Sequence, residues 1–315
     1  MPCNSLPFKS SAPAKIILLG EHAVVYGMPA IAAPISSLRA TACAGPSDAV
    51  LSVRSVELGK RVAIDSPAPD EAARSMQQLL QIASGYFGLR KPTGELVIRS
   101  DIPLAAGLGS GAAVSTAAIR ALSALYGRSV PIDNLNRLVF EMEKIHHGTP
   151  SGIDNTVVVY ERPVYYRRGA DLDLLTVGRP CRIVIADTGR AAMTREAVGR
   201  VRRRYQERQP KIEGLFLGIG QAASSARDAL ESGNHVRLGA LMSENHRLLR
   251  RLGVSSPELD GLVDASIAAG AMGAKLSGGG LGGNMIALVD GSTVQAVGRA
   301  LKTAGAANVV DFVLS

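Results

Sequence analysis

Short apolar runs and amphipathic segments of helical period alternate along the chain, a pattern that predicts a mixed α/β protein. Residues 15–20, 30–35, 49–56, 61–64 and 96–99 are strand-like. Residues 69–87 form an amphipathic helix through Met76, Leu79, Leu80 and Ala83. A second helix carries Val114, Ala117, Ala118, Ala121, Leu122 and Leu125 on one face, with Gly127 placed to stop it. A third, residues 133–146, starts after Pro131 and Asp133 and buries Leu135, Leu138, Val139 and Met142. The run Val157-Val158-Val159-Tyr160 is a strand by the same criteria.

Residues 162–180 are rich in charge, Gly and Pro and mark a boundary between lobes. That gives an N-terminal domain over 1–175 and a C-terminal domain over 176–315. The second half opens with a strand at 181–187, followed by a helix bearing Arg195, Arg200, Arg202, Arg203, Arg204 and Arg208. Helices at 215–232, 235–252 and 257–269 come next, then strands ending at Leu276 and covering 284–289, a helix at 294–304 and a strand at 308–314.

A chain of 315 residues exceeds what one core usually serves, so two lobes could enclose a cleft. With 46% hydrophobic residues but no apolar run near the roughly 20 residues of a span, neither a membrane segment nor an export signal is expected. Cys3, Cys43 and Cys181 are widely spaced and odd in number, which points to reduced thiols in a cytoplasmic protein. The net charge of +8 would suit nucleic acid, but 4% aromatics and no Trp leave few stacking platforms; small anionic substrates fit as well, and the arginine helix is a solvated face.

The candidate chemistry begins at Gly107-Leu108-Gly109-Ser110-Gly111-Ala112, a glycine loop opening onto a helix N-terminus, whose unpaired N–H groups and dipole suit phosphate. Its spacing is neither that of the Walker loop nor that of the dinucleotide fingerprint; read alone it is equally a tight turn. Glu21 and His22 sit on a turn between apolar segments, where a surface Glu and a core His would be the plain reading. Glu143 lies at the edge of a helix's apolar face. Asp154 follows in a turn-rich segment, either a proton acceptor or a turn former. A second glycine cluster, Gly278 to Gly283 with Gly279 and Gly280 at its centre, joins two strands, and five glycines exceed what a hairpin needs.

Together, Ala12-Pro13-Ala14-Lys15, Gly20-Glu21-His22-Ala23-Val24-Val25-Tyr26-Gly27, the Pro103–Ala113 loop, His147-Gly148-Thr149-Pro150-Ser151-Gly152-Ile153-Asp154-Asn155 and the Lys275–Gly283 cluster resemble the GHMP small-molecule kinases, and within them the mevalonate kinases. The resemblance spans nearly the whole chain. It implies a two-lobed α/β fold of the α+β type, with an N-terminal domain like domain 2 of ribosomal protein S5 and a C-terminal ferredoxin-like domain. It also implies transfer of phosphoryl from ATP to mevalonate, with Mg2+, in the cytoplasm and without nucleic acid or membrane partners; a homodimer is compatible with it. By the same resemblance, Asp154 and Lys15 are catalytic, Glu21, His22 and Thr194 contact substrate, residues 107–112 with Gly279 and Gly280 hold the ATP phosphates, and Glu143 binds metal together with Ser110, for which Ser115, Thr116 or water are the alternatives. Other GHMP kinases, acting on the 3-hydroxyl of mevalonate, on phosphomevalonate or on homoserine, and a non-catalytic nucleotide-binding relative are the alternatives. Three positions depart from the family pattern: Gly111 where a serine is usual, Leu281 where a glycine is common, and Asn284 where a small residue is common.

Overall fold

The computed structural model describes residues 3–103, 106–147 and 150–315, apart from the side chains of Asn4, His146 and His147. The chain forms two compact units: Met1–Ala14, Ser36–Pro103 and Gly109–Glu161 make the first, and Lys15–Ile35, Leu104–Leu108 and Arg162–Ser315 the second. Strands β1 (Phe8–Leu19) and β2 (Ala30–Val50) each run from one unit into the other.

The first unit continues with β3 (Ser52–Ser55), β4 (Lys60–Ala63), α1 (Glu71–Tyr86), β5 (Thr93–Ser100), α2 (Ser110–Leu125), α3 (Ile132–His147) and α4 (Ile153–Tyr160). Its strands lie in the order β4-β3-β5-β2. The β2–β5 pairing is antiparallel from Ala40 opposite Ser100 to Gly45 opposite Glu95, then irregular up to Val50, whereas β3 and β5 are parallel. Asp70 caps α1 by accepting from the Ala73 N–H at 2.9 Å, and the helix buries Met76, Leu79, Leu80 and Ala83 as its periodicity requires. Helix α2 is lined with buried alanines at 112, 113, 117, 118 and 121, whose small side chains let α3 and α4 pack closely against it.

Two expectations fail in this unit. The run 157–160 is helical, not a strand: Gly152 supplies a left-handed backbone (φ 94°) that starts α4, and the three valines are buried against α2 and α3. Tertiary burial outweighs β-branched propensity here. Arg120 fixes the end of this helix, donating to the Val159 carbonyl at 2.9 Å and to Glu161 at 2.6 Å, while Arg39 holds the other Glu161 oxygen at 2.8 Å. The second failure is Cys3 and Cys43, which form a disulfide across 40 residues, with Leu6 and Val97 packed around it. An odd cysteine count and wide spacing hide such a pair, because only the folded sheet brings Cys43 of β2 to the N-terminal turn. Cys181 is the free and buried thiol, its pKa pushed up to about 11 by burial.

The second unit adds β6 (Val164–Tyr166), β7 (Asp173–Leu174), β8 (Cys181–Asp187), α5 (Thr194–Glu207), α6 (Gln209–Glu231), α7 (His235–Leu252), α8 (Pro257–Ala268), β9 (Gly273–Ser277), β10 (Asn284–Val289), α9 (Val294–Thr303) and β11 (Asn308–Leu314). The start of β2, Ala30–Ala32, pairs with β6, which pairs with β7. Separately, β11-β8-β10-β9 form a fully antiparallel sheet. Its core joins Val184, Ala186, Leu276, Met285 and Ala287 of the sheet to Ile212, Phe216 and Ile219 of α6 and Leu249 and Leu252 of α7. The arginine helix α5 is more than a solvated face. Arg200 and Arg204 donate to the carbonyls of Gly253 and Arg251 at 3.2 and 3.0 Å, satisfying the C-terminal end of α7. Among the described residues no helix is long and apolar enough to cross a membrane.

Candidate active site

The glycine loop is shaped by its own strained residues and tied down by neighbours in the second unit. Gly107 and Gly109 have φ of 74° and 72°, left-handed values that other residues adopt at a cost, and Gly109 is the N-cap of α2. A glycine cap has no side chain to offer, so the first N–H groups of α2 lack a side-chain partner there. Gly111 lies inside the first turn with no left-handed φ. Lys15, nearly fully buried, donates its backbone N–H to the Leu108 carbonyl at 2.9 Å and its Nζ to the Gly107 carbonyl at 3.1 Å. Asn284, the first residue of β10, donates its side-chain amide to the Ala106 carbonyl. Leu104 and Ala105 of the same motif lie outside the described residues.

Glu21 and His22 are also in the second unit, and both are buried. Glu21 is 1% exposed, against the surface position expected of it, because Lys275 of β9, itself fully buried, forms an ion pair with its Oε1. Asn245 of α7 donates to Oε2 at 3.0 Å, so both carboxylate oxygens are engaged. Lys275 also reaches the carbonyls of Ile17 and Leu276. Burial lowers the pKa of Lys275, an effect that the Glu21 charge opposes. His22 takes an unusual backbone conformation (φ 60°, ψ −46°) at the start of the short 3-10 helix Ala23–Tyr26. Its Nε2 lies 2.9 Å from the Gly279 carbonyl, which can only accept, so Nε2 carries the proton. Burial pulls the His22 pKa down to about 4, although the Gly279 bond acts to raise it. The ring is therefore neutral at pH 7, with Nδ1 left as an acceptor. Tyr26 anchors this turn by stacking on Phe216 with ring centroids 4.2 Å apart.

The second glycine cluster is a hairpin loop, since Ser277 pairs directly with Asn284 across its base. Close approach explains two of its glycines. A Cβ on Gly279 would stand 2.5 Å from Thr194 Oγ1, and one on Gly280 would stand 2.0 Å from the Val254 carbonyl oxygen at a φ of +81°. Thr194, the exposed first residue of α5, therefore lies directly against this loop. Leu281 adopts φ 55°, a left-handed value that favours glycine; its side chain packs on the core of the unit, and its N–H donates to Val254 O at 2.9 Å. Gly278 lies close to the first loop, its Cβ position 3.9 Å from the Gly107 carbonyl.

Asp154, Glu143 and Ser110 belong to the first unit. Asp154 is half-buried in the first turn of α4, where a carboxylate complements the helix N-terminus. Its neighbour Asn155 is buried and donates to Asn136 Oδ1 at 2.6 Å. Gly148 and Thr149, from the same motif, are outside the described residues. Glu143 is 2% exposed on α3, which packs against α2, the helix that Ser110 begins. One carboxylate and one hydroxyl are hard oxygen donors, and Mg2+ needs no more from a protein when phosphates and water complete its shell. The donor set therefore fits that ion, although no cluster of three or more His, Cys, Asp or Glu occurs among the described residues.

Sequence reasoning missed Lys275 as a partner for Glu21, and Asn245 with it. A lysine between Ala274 and Leu276 in an apolar strand was a usable signal, since a buried cation requires a counter-charge.

Comparison with known proteins agrees with this picture. The model of the GHMP kinases N terminal domain matches residues 71–162, and that of the GHMP kinases C terminal domain matches residues 226–307. A mevalonate kinase of Thermococcus sibiricus is 37% identical over 96% of this chain and 94% of its own. One of Pyrococcus abyssi is 36% identical over 94% and 92%. Among solved structures, the L. major mevalonate kinase in complex with R-mevalonate superposes with a TM-score of 0.83 at 29% identity, covering 98% of this chain and 95% of that one. A phosphomevalonate kinase of Streptococcus pneumoniae reaches the same TM-score at 19% identity, which speaks for the fold alone. Matched in each half by one of the family's models, and similar along nearly its whole length to curated members, the chain belongs to the GHMP kinases, ATP-dependent small-molecule kinases with a two-domain fold, and among them to the mevalonate kinase family.

Proposed function

We propose that the protein transfers the γ-phosphoryl group of ATP to the 5-hydroxyl of mevalonate, giving mevalonate 5-phosphate for isoprenoid synthesis. The observation that carries this reading is the neutral imidazole of His22, held with Nε2–H on the Gly279 carbonyl so that Nδ1 can accept from a substrate hydroxyl. Its neighbour Glu21 is fixed by Lys275 and Asn245 and acts through the placement of the turn. Thr194, exposed and against the same loop, supplies a further hydroxyl to the acceptor.

The remaining residues divide the labour of phosphoryl transfer, which demands positioning, a proton acceptor and positive charge rather than covalent chemistry by the protein. Asp154 takes the proton of the attacking primary hydroxyl. Lys15 offers its ammonium to the transferring phosphoryl oxygens. The N–H groups of residues 107–112 hold the nucleotide phosphates, and Gly279 and Gly280 approach them from the second loop. Glu143 and Ser110 would hold Mg2+, which when bound neutralises phosphate charge. ATP supply puts this reaction in the cytoplasm.

Purified protein incubated with ATP, Mg2+ and, separately, mevalonate, phosphomevalonate or homoserine should phosphorylate mevalonate alone, with phosphorus NMR identifying the 5-phosphate. Phosphate on the 3-hydroxyl, or turnover only with phosphomevalonate, would remove this reading.

A further inference from the structure

Three consecutive carbonyls of the glycine loop are each held by a second-unit residue: Ala106 O by the Asn284 amide, Gly107 O by Lys15 Nζ, and Leu108 O by the Lys15 backbone N–H. In a trans peptide the carbonyl of one residue and the N–H of the next point in opposite directions, and no peptide bond among the described residues is cis. Each tie therefore fixes a peptide plane and with it the direction of the N–H that follows, those of Gly107, Leu108 and Gly109 in turn. Among the described residues none of those three N–H groups donates to another backbone carbonyl.

Two of the three ties come from Lys15, to which the proposed mechanism already gives a part. The third comes from the Asn284 side chain. Asn284 is 2% exposed, begins the strand that leaves the second glycine cluster, and so fixes the start of the first loop to the end of the second.

We propose that Asn284 is a positioning residue for the nucleotide: by holding the Ala106 carbonyl it presets the Gly107 N–H, and with it the loop, for the phosphates of ATP. This rests on the reading of residues 107–112 as the phosphate-binding loop.

The test compares Asn284→Ala, Asn284→Asp and Gly109→Val with the unaltered protein, using calorimetric titration with ATP, steady-state KM for ATP and for mevalonate, and melting temperature. Loss of one neutral hydrogen bond should raise the Kd and KM for ATP about tenfold in Asn284→Ala while the mevalonate KM stays within about twofold. Asn284→Asp keeps the shape but turns a carboxylate toward the carbonyl, so its effect on ATP should be larger; it carries the comparison should the alanine variant not fold. A lowered melting temperature with ATP affinity within about twofold in both variants would reduce Asn284 to a packing residue and overturn the proposal. Unchanged ATP affinity in Gly109→Val would overturn the phosphate-loop reading itself. Collapse there beside unchanged affinity in the Asn284 variants overturns the role of Asn284 alone.

Discussion

Glu21 and Lys275 show how a residue can be visible in the sequence while its role is not. Glu21 stands out in its motif, yet its partner lies 254 positions away and no local pattern joins them. A buried pair of this kind adds little net stability, but removing one member leaves a charge without compensation. Glu21→Gln should therefore destabilise the protein by about 3–5 kcal/mol in urea unfolding, whereas Glu21→Leu combined with Lys275→Met should recover most of that loss. Equal losses in the single and double variants would show that the pair is not what holds this region. Asp154 was legible only through its motif, because an aspartate near a turn is as readily a turn former. Asp154→Asn should bind ATP normally and lose about 10²–10⁴-fold in turnover, read from single-turnover kinetics and nucleotide titration side by side. Turnover near that of the parent would take the carboxylate out of the reaction.

At the scale of elements, periodicity located the amphipathic helices well, since α1 and α3 each present one apolar face to a core; α2 was located too, but it is buried almost all round, from Ser115 through Ile119 without a break. It failed at α4, where Val157, Val158 and Val159 are all buried and therefore carry no period. The second cluster has more glycines than a hairpin needs, and at Gly279 and Gly280 the packing of α5 and Val254 already demands them. The Cys3–Cys43 bridge was illegible for a different reason, since pairing depends on which strand passes the N-terminal turn. Closing a loop of that length restricts the unfolded chain, and reduction should lower unfolding stability by about 4 kcal/mol. Urea titrations with and without dithiothreitol test this, with Cys3→Ala matching the reduced protein; identical midpoints would make the bridge thermodynamically idle.

For the molecule as a whole, two buried imidazoles set the acid limit. Both His22 and His246 have pKa values pulled down to about 4 from 6.5, in each case chiefly by burial. His246 accepts from the Leu276 N–H through Nδ1 at 3.3 Å, and its Nε2 lies 3.2 Å from Asp260. The unfolded chain binds protons at these sites below pH 6.5 while the folded one does not until about pH 4. The contribution of keeping these two rings neutral is therefore fully present above pH 6.5 and is lost as the pH drops toward 4, by up to roughly 3 kcal/mol per histidine. Melting temperatures from pH 8 to pH 4 should show that decline, and His22→Asn or His246→Asn should flatten it. A slope unchanged in both variants would assign the acid limit to the carboxylates.

The second unit is discontinuous in sequence: it borrows Lys15–Ile35 and Leu104–Leu108 from the half of the chain that otherwise builds the first. The stretch 162–315 expressed by itself would carry Lys275 and Asn245 into a core with no Glu21 to meet them, and Phe216 without the ring of Tyr26. Such a fragment should stay unfolded by circular dichroism and gain structure when the 1–161 fragment is added in trans; a cooperative melt from the lone fragment would contradict this. Gene shuffling at residue 162 is therefore closed to this family member as a route to exchanging its C-terminal half, unless the strand and turn that carry Glu21 are exchanged along with it.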